Sequence, residues 1–89
     1  MIQKKENKSI IYYGQVVCPR CDGNGLIYQT YVLLLGVTIY LCDECEAMWE
    51  DPKTISISNF RDFTTYLQGH GVTYIDAELQ DIDYEWHKR

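Results

Sequence analysis

All four cysteines of the chain lie within residues 18–45, which read CPRCDGNGLIYQTYVLLLGVTIYLCDEC. They form two Cys-x-x-Cys pairs, Cys18/Cys21 and Cys42/Cys45, with the twenty residues 22–41 between them. A two-residue gap lets the second sulfur of a pair swing back beside the first, so each short turn offers two thiolates on one side. Two such turns supply the four soft ligands of a tetrahedral zinc ion. The separation sits at the upper edge of the zinc spacing of about 15 to 20 residues. The pattern predicts one closed structural zinc site on Cys18, Cys21, Cys42 and Cys45, with iron the alternative metal because four thiolates suit it as well. Disulfides and a redox pair are the competing readings. Disulfides persist mainly in secreted chains, and the opening MIQKKENKS has no apolar signal-peptide run. A thioredoxin-like site needs only one pair, beside a strand–helix–strand pattern.

A chain of 89 residues has room for one domain and a small core, and domains of this size lean on a metal or a partner. We therefore expect a single α+β domain over 1–89. Within it, a small zinc ribbon spans 10–49, a β-hairpin on two cysteine knuckles preceded by an N-terminal strand. An acidic α/β extension with one or two short helices spans 50–89 and packs on it. No run of about 18 apolar residues occurs, so no membrane span is expected, and the expected location is cytoplasmic.

Charge divides the chain. The formal net charge is −5. Residues 42–85 carry eleven carboxylates against Lys53 and Arg61, whereas residues 1–41 carry four basic and two acidic side chains. A zinc ion held by four thiolates takes the total to about −7. Such a field repels a phosphate backbone and steers a basic partner inward.

Along the chain, residues 1–9 read as a frayed terminus. Residues 10–17, IIYYGQVV, read as one strand with a possible glycine bulge. In the first knuckle Pro19 presets a turn, and Gly23 and Gly25 permit positive φ behind the second ligand. Residues 26–32 and 37–41 are β-branched and aromatic, two strands of a hairpin reversing within 33–36. The run Leu33-Leu34-Leu35 is unusual at a hairpin tip; it packs on the C-terminal half or contacts a partner. Trp49, four residues past the last cysteine, is placed to cover the metal. Residues 54–57 form a short alternating segment. Residues 59–68 read as a helix with Ser58 or Asn59 at its cap and Phe60, Phe63 and Leu67 on one face. His70 falls in a loop, 72–75 read as a strand, and 77–87 as an acidic helix capped by Asp76.

The segment CPRCDGNG resembles the Cys-x-x-Cys-x-Gly-x-Gly repeat of the DnaJ cysteine-rich region over eight residues. That likeness concerns turn geometry, since CDECEAMW lacks both glycines. CPRC, a β-rich spacer and CDEC are similar in layout to the zinc-ribbon domain of toxin–antitoxin antitoxins. Size and charge are similar to those of small immunity proteins of bacterial polymorphic (contact-dependent inhibition) toxins. The resemblance implies a protein that binds a toxin; the helix-turn-helix that usually follows in those antitoxins has no counterpart in the acidic residues after Trp49.

No phosphate loop, Gly-x-Ser-x-Gly, His-Glu-x-x-His or deaminase signature is present, so no enzyme is expected. The expected function is a zinc-binding protein-interaction module, monomeric when free, that occludes a basic nuclease-type toxin. Its contacts would come from Trp49, Asp76, Glu78, Asp81, Asp83, Glu85 and Trp86. The alternatives are a nucleic-acid-binding ribbon, using Lys4, Lys5, Lys8 and Arg20 with Tyr12, Tyr13 and Tyr28, and an adaptor subunit of a larger assembly.

Overall fold

The computed structural model describes Ile10–Tyr12 along the backbone and residues 15–88 in full. The frayed terminus expected over 1–9 lies outside the described residues, as do Tyr13, Gly14 and Arg89. The expected N-terminal strand is two strands, β1 (Ile10–Tyr12) and β2 (Gln15–Val17), paired antiparallel with Tyr12 opposite Gln15. The glycine for which a bulge was expected, Gly14, lies outside the described residues.

The centre is the hairpin β3 (Leu26–Val32) and β4 (Val37–Cys42), in register from Ile27 opposite Cys42 to Val32 opposite Val37. Both strands lie where β-branched and aromatic residues concentrate, and Gly36 takes the positive φ of +68° that closes the turn between them. β5 (Ala47–Trp49) and β6 (Arg61–Asp62) extend the sheet beyond β4. All pairings are antiparallel.

The second half departs from the helical spacing of its sequence. Helix α1 begins at Phe63 and runs to Gly69, four residues later than expected at its start. Arg61 and Asp62 pair instead with Met48 and Ala47 in the sheet, and the Asp62 carboxylate caps the helix by accepting from the Thr65 N–H at 3.0 Å. Asn59, expected as the cap, turns back to the Thr54 carbonyl and Ser56 hydroxyl. Residues 72–75 are not a strand: Tyr74–Ala77 form a single helical turn, α2, capped by the Thr73 hydroxyl, while Asp76 is the residue whose N–H is capped. The acidic helix expected over 77–87 is a strand, β7 (Leu79–Asp83), which pairs with β3. β2 covers only Leu26 and Ile27 along that edge of β3, so the remaining backbone donors and acceptors of β3 take β7 as their partner. That demand outweighs the spacing of Leu79, Ile82 and Trp86.

Alternation along the strands sorts the core onto two faces. Ile27, Tyr40, Cys42, Ala47 and Trp49 point to one, together with Val16, Cys18 and Ile55. Tyr28, Val32, Ile39, Leu41 and Met48 point to the other, where Phe63, Leu67 and Ala77 cover them. At the hairpin tip Leu35 packs on the second cluster, while Leu33 and Leu34 are exposed. Among the described residues no helix is long and apolar enough to cross a membrane.

Candidate metal centre

The hairpin brings the two cysteine turns together because β3 leaves the first and β4 enters the second, with Ile27 directly opposite Cys42. All four Sγ atoms lie within 4.8 Å of one another. Cys18 and Cys45 approach to 3.8 Å, Cys21 and Cys42 to 3.6 Å, each contact running between turns. Metal–sulfur bonds of about 2.3 Å place the corners of a regular tetrahedron about 3.8 Å apart. The four thiols are free cysteines, at separations far beyond the S–S bond of about 2.05 Å. The donor set therefore fits one metal ion and is compatible with structural zinc; as four thiolates it leaves no open coordination position.

Local backbone aims the sulfurs. In the second turn the Glu44 and Cys45 N–H groups donate to Cys42 Sγ at 3.3 and 3.4 Å. The residue after each pair adopts positive φ, Asp22 at +60° and Glu46 at +63°. The two turns thus share a conformation that the glycine pattern signals only in the first, and Glu46 adopts it with no glycine in its turn. Gly23 follows at +86° as the sequence implies. Gly25 has a different task. A Cβ there would collide with Cys42 Sγ and lie 2.9 Å from Glu44 Cβ, so the missing side chain is what lets the turns close.

Three contacts from distant parts of the chain lock the arrangement. Arg20 donates to the Cys45 carbonyl at 3.1 Å and lies 4.7 Å over the Phe60 ring, joining both turns to the second half. The Asp43 carboxylate accepts from the Leu26 N–H and from the Tyr84 hydroxyl, both at 2.9 Å. The Trp86 indole N–H donates to the Ile27 carbonyl at 3.0 Å, its ring 4.8 Å from Tyr40. None of these roles was legible beforehand. A signal existed only for Gly25, as one of the glycines behind Cys21.

Cys18 and Cys42 are buried; Cys21 and Cys45 are half-buried. Burial pushes the Cys18 thiol up to about 11 and the Cys42 thiol higher still. Burial also raises Cys45, but hydrogen bonds from the Ala47 backbone and the neighbouring thiols outweigh it, and the net direction is down. Metal binding at this site displaces protons.

The residues expected to contact a partner are distributed differently from the expectation. Trp49 is 2% exposed, its indole N–H donating to the Ser56 carbonyl, and it belongs to the core of the cysteine face. Trp86 is half-buried in the same cluster. Asp76, Glu78, Asp81 and Glu85 are exposed, Asp83 half-buried, along α2, β7 and the following turn and not on one helix face. Glu85 pairs with Lys88 at 2.7 Å. Tyr28, a candidate stacking residue, is buried in the opposite core; Lys4, Lys5, Lys8 and Tyr13 lie outside the described residues, as does the side chain of Tyr12. Comparison of the chain with protein-family models, with curated proteins and with solved structures finds no match.

Proposed function

We propose that the chain is a non-enzymatic, zinc-stabilised protein-interaction module, an acidic cytoplasmic immunity or antitoxin protein that binds and occludes a basic, nuclease-type toxin. One observation carries the reading. Residues 15–88 hold twelve carboxylates, ten of them exposed, against Arg20, Lys53, Arg61 and Lys88. Three of those cations are already engaged: Arg20 at the cysteine turns, Arg61 with Glu50 at 3.9 Å and Lys88 with Glu85. Four thiolates around a zinc ion add further negative charge beside Asp43 and Glu44. A toxin that cleaves nucleic acid presents Lys and Arg to phosphates, and a rigid carboxylate surface competes for the same groups by charge complementarity. The zinc ribbon has a scaffolding role: a filled four-thiolate site holds structure and does not activate water.

The test is recovery of the tagged, full-length chain from its native cells, with bound metal and bound protein measured together. One zinc per chain and a basic protein at equal stoichiometry, whose nuclease activity falls when purified chain is added back, are the expected results. Nucleic acid recovered in place of protein, and released by salt, would overturn the reading. Iron at one per chain would overturn the metal assignment alone.

A further inference from the structure

β3 runs from the first cysteine turn to the far end of its hairpin, about 20 Å away. At that end the turn into β4 exposes Leu33 and Leu34, the latter at 58%. The turn is tied to the end of α2: the Leu33 N–H donates to the Glu78 carbonyl at 3.1 Å and the Leu34 N–H to the Ala77 carbonyl at 3.3 Å. The same helical turn presents Tyr74 at 47% and Ile75 at 89% exposure. Tyr74 is anchored, its ring edge-on to buried Phe63 at 5.6 Å. Tight turns ordinarily carry Gly, Asn or Asp, and an isoleucine this exposed contributes almost no burial energy to folding. Four exposed apolar side chains thus stand on two turns joined by backbone hydrogen bonds.

Asp76 and Glu78 stand on the same segment, both exposed. Glu78 adopts φ +59°, a conformation that favours glycine, so a carboxylate occupies a position where backbone preference alone would choose otherwise. No Lys or Arg occurs in residues 21–52 or 62–87. Every element that builds this end, β3, β4, α1, α2 and β7, falls inside those cation-free stretches. The carboxylates therefore have no cation from their own elements.

We propose that Leu33, Leu34, Tyr74 and Ile75, rimmed by Asp76 and Glu78, form the docking surface for an amphipathic, cationic segment of the partner protein. Its apolar side chains cover the leucines, Tyr74 and Ile75 while its Lys or Arg residues meet the two carboxylates. Apolar anchors supply affinity and the charges supply steering and register. A second copy of this chain is a poor occupant, because it brings the same carboxylates to the contact. This surface rests on the reading of the chain as an acidic interaction module, and it fails separately from it.

The probe is a synthetic amphipathic helix of about five turns, leucine on one face and lysine on the other, titrated into the zinc-loaded full chain and followed by amide chemical shifts. Shifts confined to 33–34 and 74–78 are expected, with affinity falling about tenfold as salt rises from about 0.05 M to about 0.3 M. Ile75→Ser should weaken binding about tenfold. Ile57→Ser, at another exposed isoleucine, should leave it unchanged, and both variants should keep their zinc. Shifts centred elsewhere, an Ile75→Ser chain that binds as before, or a dimer that Ile75→Ser dissolves would each overturn the proposal. Peptide docking here by a chain that recovers no toxin would retain the surface and remove the immunity role. A toxin held equally well by the Ile75→Ser chain would do the reverse.

Discussion

On one side of β3, β4 and β5, Ile27, Tyr40, Ala47 and Trp49 pack against the two cysteine turns, Ile55 and the half-buried Phe60 and Trp86. On the other, Tyr28, Ile39, Leu41 and Met48 pack against Phe63, Leu67 and Ala77 of two helices. The second side is an ordinary apolar layer, with regular elements laying side chains into a strand surface. The first has almost no regular cover. Its segments 18–25, 43–46 and 50–60 include one 3₁₀ turn, Pro52–Thr54, and otherwise turns and loops. Such segments bury little apolar area for the backbone entropy they lose. Four thiolates on one metal ion would compensate, at about 10 kcal/mol or more for structural zinc. A chain of this size thus covers one face of its sheet with helices and the other with turns gathered at a cysteine cluster that could hold one metal ion.

Removing the metal is the strongest way to break that comparison. Cys42→Ser, or a chelator, should abolish metal binding and cost up to about 10 kcal/mol, leaving a largely unfolded chain by circular dichroism. A metal-free Cys42→Ser protein that melts like the parent would show that the cysteine face holds itself. Acid should act in the same direction, since protons compete with the metal for thiolate.

Phe63→Ala addresses the other face. Phe63 is fully buried, and truncation there should cost about 3–5 kcal/mol while the folded fraction keeps one metal per chain. If metal stoichiometry fell as well, the two faces would be one cooperative unit. A smaller effect is expected at the seam of the cysteine turns. Gly25→Ala forces a methyl onto Cys42 Sγ, and about 1–3 kcal/mol of overpacking should appear together with weaker zinc affinity in a competition titration. Unchanged affinity would mean that the turns have slack.

The smallest effect separates the faces by pH. Burial raises the Tyr28 hydroxyl above its ordinary value of 10.0, and burial together with the Glu50 carboxylate raises Tyr66; both side chains belong to the helix-covered side. Raised phenols favour the protonated form in the folded state, so their contribution is complete below the unfolded value near pH 10. It is lost as pH rises through the folded values. Alkaline titration should therefore lower the melting temperature above about pH 10, and Tyr28→Phe should blunt the decline. Equal alkaline sensitivity in Tyr28→Phe would remove Tyr28 as its source.

The chemistry of residues 10–49 was largely legible because its determinants are local. Cys-x-x-Cys spacing sets the turns, and β-branched runs interrupted by Gly36 set a hairpin whose observed strands, Leu26–Val32 and Val37–Cys42, differ from expectation by one residue. The bracing of the site was not legible. Arg20 reaches Cys45 and Phe60, and Asp43 reaches Tyr84, across separations that no short pattern encodes. The exposure of Leu33 and Leu34 beside a half-buried Leu35 likewise depends on where α2 docks.

By itself, then, the amino-acid order determined a four-thiolate cluster on a β-hairpin and an acidic second half, because ligand spacing, β propensity and charge act over a few residues. Only the tertiary structure decided the form of that second half. Phe60 lies outside the helix its spacing suggested and packs on the cysteine face. Leu79–Asp83 are extended and not helical because β3 offered an open row of backbone hydrogen-bonding groups. Satisfying those groups is worth more than the weak helical preference of an isolated acidic stretch, and only the assembled sheet presents them.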